Sequence, residues 1–211
     1  MIRNTAVTVC GPLNVNKLGV TYVHEHLMVK PQLPDEYYIP YTLDDEAAST
    51  EETRSFSAAG GETLVEMTPI NYGRNVKAYQ RIAQATGVHV ICCTGFHKQL
   101  FMPPWFGDKT DGELYDILMN EVMNGLDDTE IHPGVIKLGT SFEEVTAAEK
   151  RSIEAVARVH RDTGIPISTH CDKGTMGMDQ LRLLEKHGVD PKNVLLCHID
   201  SKMDTDYAIR L

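Results

Sequence analysis

The chain has 211 residues, 42% of them apolar and 24% charged, which suits one sizeable buried core, and a single domain over residues 1–211 is the expectation. A formal net charge of −10 and a pI near 5.3 repel polyphosphate, so neither nucleic acid nor an anionic membrane surface is an expected partner. No run approaches the roughly 18 apolar residues of a membrane span, and the start, MIRNTAVTVCGPLNV, has no basic segment leading into a long apolar one, so a cytoplasmic protein is expected.

Six strand-length apolar runs follow one another, each succeeded by a polar turn and a stretch of helical periodicity, the signature of β/α units on a parallel sheet. They are Val20 to His24, Thr63 to Met67, His89 to Cys93, Val135 to Leu138, Ile165 to Thr169, and Val194 to His198. Most are β-branched and apolar on both faces, as strands covered on both sides should be. The helix before the second strand should stop at Gly60-Gly61. Capping boxes are expected at Thr110-Asp-Gly-Glu113 and Thr146-Ala-Ala-Glu149. Beyond the second box, Ile153, Val156, Ala157 and His160 share one helical face, and Gly164 and Gly188 sit where helices should end. Cys92, Cys93, Cys171 and Cys197 lie in or beside strand-like runs with no CxxC among the five cysteines, which predicts buried free thiols rather than disulfides.

A (β/α)8 barrel takes about 250 residues and eight strands. The expected fold is therefore α/β, a TIM barrel truncated after about six β/α units, with units 7 and 8 missing; an open six-stranded α/β sheet is the alternative.

Chemistry-bearing side chains gather at the predicted strand ends, where such barrels place their active sites. His24-Glu25-His26 closes the first strand, and alternation turns both imidazoles to one side, either as a ligand pair or as two hydrogen-bonded histidines. Glu25 should point away from them as a structural acid. Lys137, within Gly134-Val-Ile-Lys-Leu-Gly139, puts an ammonium in an apolar strand. It is either a paired structural lysine or an amine of lowered pKa that takes up carbon dioxide to give a metal-bridging carbamate. His170 and His198 each end a strand. Cys197, beside His198, should face the opposite way and pack under the helices. His97, His132, His160 and His187 read as ordinary histidines, and His89 stands at the wrong end of its strand.

Read together, Gly19-Val-Thr-Tyr-Val-His-Glu-His-Leu27, Gly61-Glu-Thr-Leu-Val-Glu-Met-Thr68, Gly87-Val-His-Val-Ile-Cys-Cys-Thr-Gly-Phe96, Gly134-Val-Ile-Lys-Leu-Gly139, Ile167-Ser-Thr-His170 and Gly188-Val-Asp-Pro191 resemble the phosphotriesterase-like family of the amidohydrolase superfamily along the whole chain. The resemblance implies two divalent ions, with zinc expected and manganese or cobalt as alternatives. His24 and His26 would bind the more buried ion, His170 and His198 the more exposed one, and carboxylated Lys137 would join them. The family's strand-8 aspartate ligand has no counterpart in these 211 residues. The implied reaction is hydrolysis by a hydroxide bridging the two ions, and Asp200 would orient a ligand or relay a proton, unless it is only a solvated surface acid.

A small lactone is the favoured substrate and partner. The same family's phosphotriester or carboxylester hydrolysis is the first alternative, and an inactive metal-binding fragment is the alternative from another class. A homodimer is left open. Arg74, Lys98 and Lys173 follow three strand ends and would hold an anionic substrate such as a phosphorylated sugar lactone, unless they are solvated loop charges. The loop Thr94-Gly-Phe-His-Lys98 lacks the tyrosine found beside Phe96 in organophosphate-hydrolysing and acyl-homoserine-lactone-hydrolysing relatives, which favours sugar-like lactones.

Overall fold

The structure, a computed structural model, describes residues 4–32 and 42–211. Their contacts divide into two compact lobes, one drawn from Met1–Thr94 and Asn120–Gly134, the other from Gly95–Met119 and Val135–Leu211.

The first lobe opens with a hairpin outside the six expected strands. β1 (Thr5–Thr8) pairs antiparallel with β2 (Gly11–Asn14), from Thr5 opposite Asn14 to Thr8 opposite Gly11. Pro12 within β2 removes a ladder donor and masks the run as a strand in the sequence. The Val9 N–H donates to the Val90 carbonyl at 2.8 Å, and the Gln80 amide donates to the Val9 carbonyl at 2.9 Å, so the turn is anchored to the lobe. Three parallel strands follow, β3 (Thr21–Glu25), β4 (Thr63–Glu66) and β5 (His89–Gly95), linked by helices α1 (Glu46–Ala58) and α2 (Val76–Thr86). α1 starts on the Asp45 carboxylate, which accepts from the Ala47 and Ala48 N–H groups, and it ends just before Gly60-Gly61 as expected. α2 starts on Asn75 and stops at Gly87, whose φ of 77° a side-chain-bearing residue adopts at a cost. Its buried stripe of Val76, Tyr79, Ile82 and Ala83 packs with Leu64, Val90, Leu126 and Ile131 as the lobe's core. Burying each large member contributes roughly 1.5–3 kcal/mol.

In the second lobe, β6 (Val135–Thr140), β7 (Ile167–Cys171) and β8 (Val194–Leu195) run parallel in that order, with α4 (Ala147–Thr163) and α5 (Gly177–Lys186) as their crossovers and α6 (Thr205–Arg210) after β8. α3 (Asp111–Asn124) precedes β6, and its residues divide between the lobes after Met119. Both capping boxes form: Thr110 and Glu113 exchange hydrogen bonds at 2.8 and 3.2 Å, and Thr146 and Glu149 at 2.9 and 3.2 Å. Ile153, Val156, Ala157 and His160 form the buried face of α4, which ends at Gly164 in the left-handed conformation.

Two strands depart from the sequence reading. β7 begins at Ile167 because Pro166 has no N–H for a ladder, although its carbonyl still accepts from the Ile136 N–H at 2.9 Å. β8 is two residues long, and the chain leaves extended geometry before His198, whose φ is 64°. The alternation used to place Cys197 lapses with it. The Cys197 thiol lies 3.5 Å from the Ser168 hydroxyl, on β7, rather than turned away beneath the helices.

All five thiols are free; Cys92, Cys93, Cys171 and Cys197 are buried and Cys10 is exposed. Burial pushes the Cys92 thiol up to about 12 and Cys171 to about 11, which suppresses their thiolates. Among the described residues no helix is long and apolar enough to cross a membrane. A disulfide-exchange reagent should therefore titrate one thiol, Cys10, in the native protein and all five after denaturation; two or more fast native thiols would contradict this packing.

Candidate functional site

In the first lobe, β3 carries a bulge. Tyr22 stands opposite Leu64 on β4, but Glu25 stands opposite Glu66, so three steps along β3 match two along β4. An extra residue re-aims the side chains around it. The rings of His24 and His26 lie edge to face with centroids 5.5 Å apart, and the Tyr72 ring centroid stands 5.7 Å from that of His26. Glu25, between them, is partly buried, and desolvation raises its pKa while a hydrogen bond from the His26 backbone opposes the rise.

Glu66 and Thr68, at the end of β4, back His26. The Thr68 hydroxyl lies 2.8 Å from His26 Nδ1 and donates to Glu66 Oε1 at 2.6 Å. Glu66 is fully buried, and desolvation pushes its carboxyl up to about 7 against the lowering effect of hydrogen bonds from Thr68, Leu27 and Tyr79. The sequence reading missed this residue, although an acid inside Thr63-Leu-Val-Glu-Met67 is the same signal that singled out Lys137: a charge in an apolar strand.

In the second lobe, Lys137 on β6 has no solvent exposure and is flanked by fully buried Ile136 and Leu138. It stands in register with Ser168, and Gly139 with His170, so Lys137 and His170 share one face of the β6–β7 pair. Gly95, at φ 115°, allows the following loop to press on this strand: a Cβ there would fall 2.0 Å from the Lys137 carbonyl, which accepts from the Phe96 N–H at 3.2 Å. The His170 and His198 rings meet with centroids 4.7 Å apart. Burial, then the Lys137 charge, depresses the His198 pKa, with Asp200 and Asp172 opposing. The net shift favours the neutral imidazole. Asp200 is exposed in the turn after His198 and acts on it through its charge. Gln180 of α5 fastens the strand ends, donating to the Thr140 hydroxyl at 2.6 Å and to the His170 carbonyl at 2.9 Å.

His97, read from sequence as an ordinary histidine, is buried with its ring 4.5 Å from His170 and 4.8 Å from Phe101. Its only sequence signal is a place just beyond the end of a strand. The five expected metal ligands thus appear as one histidine pair in each lobe, with Lys137 acting on the second. Among the described residues no three or more His, Cys, Asp or Glu side chains gather as a metal-holding group. Each pair offers two imidazole nitrogens, a donor set that suits zinc but needs further ligands to complete its shell.

Residues 4–211 match the phosphotriesterase family. The chain belongs to the phosphotriesterase family. It is 32% identical over 200 residues to a phosphotriesterase homology protein of Escherichia coli, covering 94% of this chain and 68% of that one. It is 31% identical to a phospho-furanose lactonase of Mycoplasmopsis synoviae, covering 98% and 63%. The crystal structure of a lactonase from Listeria monocytogenes superposes with a TM-score of 0.92 at 30% identity, over 98% of this chain and 68% of that chain. The chain therefore spans about two thirds of the length of these relatives, and its fold is that of the first six β/α units of the family's TIM barrel.

Of the three cations expected to bind an anionic substrate, Arg74 is otherwise engaged. Its side chain is 5% exposed, and all five of its N–H donors are taken: Nε and one Nη2 hydrogen by Asp127, the other by Glu121, and the two on Nη1 by Glu121 and the Cys93 carbonyl. Thr94 adds a hydrogen bond of 2.5 Å to Glu121. No donor remains for a phosphate, so Arg74 is corrected from substrate ligand to structural anchor. Lys98 is paired with Asp172 at 2.7 Å, and exposed Lys173 lies over the Phe142 ring, 4.7 Å from its centroid. Removing one partner of a buried ion pair strands the other, at a cost of about 3–5 kcal/mol. Arg74→Ala should lower the unfolding free energy by that amount in urea denaturation, and Arg74→Lys should recover only part of it because an ammonium cannot replace the planar fork. Wild-type stability in both variants would refute the anchor.

Proposed function

We propose that the protein is a binuclear-metal lactonase whose substrates include phosphorylated sugar lactones. The observation that carries this reading is Lys137, buried in an apolar strand, on the face that it shares with His170, and close enough to depress the His198 pKa. A neutral lysine amine adds to carbon dioxide and loses a proton to give a carbamate, an anion with two oxygens. In this reading His24 and His26 would hold one divalent ion, His170 and His198 another, and the Lys137 carbamate would join them. Zinc suits these ligands best, with manganese or cobalt able to replace it. Bound there, the ion pair would supply a hydroxide at neutral pH and polarise the lactone carbonyl. Asp200, acting on His198, would orient that ring or relay a proton. The names of the phospho-furanose lactonase and the Listeria lactonase support the substrate class.

Lys137→Ala should lose lactone hydrolysis and bound metal together, and bicarbonate or a short carboxylic acid should restore part of both. Full metal content by elemental analysis in this variant would sink the carbamate. Exhaustive chelation should likewise abolish turnover, and activity in protein shown to be metal-free would remove the mechanism.

With Arg74 committed elsewhere, Lys173 is the exposed cation left to meet a substrate phosphate, and Lys98 would have to exchange its Asp172 partner. A lost charge–phosphate contact costs about 1.5–3 kcal/mol, roughly ten- to a hundredfold in kcat/KM. Lys173→Ala should show that loss on a phosphorylated sugar lactone and none on its unphosphorylated form. Equal effects on both substrates would remove Lys173 from phosphate binding.

A further inference from the structure

We propose that Phe142 is a positioning residue for Lys173: its ring seats the ammonium beyond the ends of β6 and β7 and holds it there, with its charge unneutralised, for the phosphate of an anionic substrate. The inference rests on the reading of Lys173 as a phosphate contact.

Strand register brings the two side chains together. Thr140 and Cys171 stand opposite each other at the ends of β6 and β7, and Phe142 and Lys173 each follow two residues later. The Lys173 ammonium lies 4.7 Å from the centroid of the Phe142 ring, and Phe142 is 46% exposed. The loops that carry them are tied by buried Thr175, whose hydroxyl accepts from the Glu143 N–H at 2.9 Å and donates to the Asp172 carbonyl at 2.8 Å. Each loop also has a residue in left-handed backbone geometry beside or within the contact, Glu143 at φ 54° and Lys173 itself at φ 49°. Such angles persist only where surroundings enforce them, so main chain fixes the points from which the ring and the ammonium reach each other.

The kind of partner matters as much as the distance. Lys98, in the loop after β5, gives its charge to the Asp172 carboxylate at 2.7 Å. Among the described residues no carboxylate pairs with Lys173, and its ammonium meets the ring instead. An aromatic face attracts a cation through its quadrupole but carries no net charge. It therefore narrows the positions open to a long, flexible side chain and leaves the positive charge whole for an incoming dianion. A carboxylate in the same place would hold the lysine equally well and cancel it. Phenylalanine offers neither charge nor hydrogen bond of its own, so Phe142 acts on an anion through Lys173.

The test is NMR of protein carrying carbon-13 at the lysine Cε positions, titrated with inorganic phosphate, with Lys173→Arg identifying the Lys173 signal. In wild type the Lys173 ε-methylene protons should stand upfield of solvated lysines, shifted by the ring, and should move on adding phosphate. Phe142→Leu, at an exposed position, should lose the upfield shift and weaken the phosphate response of Lys173 about two- to fivefold, and Phe142→Tyr should retain both. A wild-type Lys173 signal at the solvated position overturns the proposal. So does a Phe142→Leu variant that binds phosphate as tightly as wild type. A signal that is ring-shifted in wild type yet unmoved by phosphate refutes the reading of Lys173 as a phosphate contact, and the proposal falls with that reading although the ring contact stands.

Discussion

The desolvation of one lysine bears on the strand that carries it and on the loop pressed against that strand. An ammonium removed from water loses several kcal/mol of hydration that only nearby dipoles, anions or a change of protonation state can offset. Lys137 is in that position: no exposure, apolar neighbours before and after it in β6, and a backbone clamped by the loop that starts at Gly95. The glycine is required because any side chain there would strike the Lys137 carbonyl. Gly139 serves the same strand, since a Cβ on it would fall 2.8 Å from the Lys98 nitrogen. The local sequence thus gives up side chains on two glycines to let backbone close around the lysine.

Arg74 shows the other way in which this protein buries a cation. There the charge is matched in place by Glu121 and Asp127, with every donor used and a threonine completing Glu121. The arrangement ties the loop after β4 to the last turn of α3, through Glu121, and to the segment after it, through Asp127, within the first lobe. A fully matched pair of this kind gives rigidity and little chemistry, because nothing in it is left to bind a ligand. Lys137 is surrounded differently. Its charge bears on His198, and Asp172 and Asp200 act on the same ring with opposite sign. Arg74 is thus a saturated structural cation, while Lys137 is a buried cation whose charge is felt by a histidine.

What could be read from sequence follows the same division. The six parallel strands, the two capping boxes and the buried face of α4 were legible because each rests on local spacing: apolar runs, Thr-x-x-Glu, and an i, i+3, i+4 stripe. The histidines at strand ends were legible for a topological reason. Three things were not. The β1–β2 hairpin is hidden by Pro12, the bulge in β3 leaves no composition signal, and the early end of β8 depends on backbone angles at His198. Arg74 misleads from sequence because its partners Glu121 and Asp127 lie about fifty residues away, and charge matching over that separation is a property of the fold. Glu66 carries the same signal as Lys137, a charged side chain within a largely apolar strand, and Thr68 two residues on is revealed only by its contacts.

The ends of β7 and β8 show how backbone strain is used to hold these side chains. Lys173, Met176, His198 and Met203 all have positive φ without being glycine, a conformation that costs about 1 kcal/mol or more for each and persists only where surroundings enforce it. The enforcing contact is visible. Gly174, in the loop after β7, sits so close to the turn after β8 that a Cβ on it would fall 2.6 Å from the Lys202 nitrogen and 2.8 Å from the Ile199 carbonyl. The loop that follows His170 and the turn that follows His198 are therefore interlocked through backbone, with Gln180 pinning the His170 carbonyl from the helix side. Neither histidine can be displaced without disturbing the other's loop. Two rings 4.7 Å apart are thus held by main chain as well as by side-chain packing.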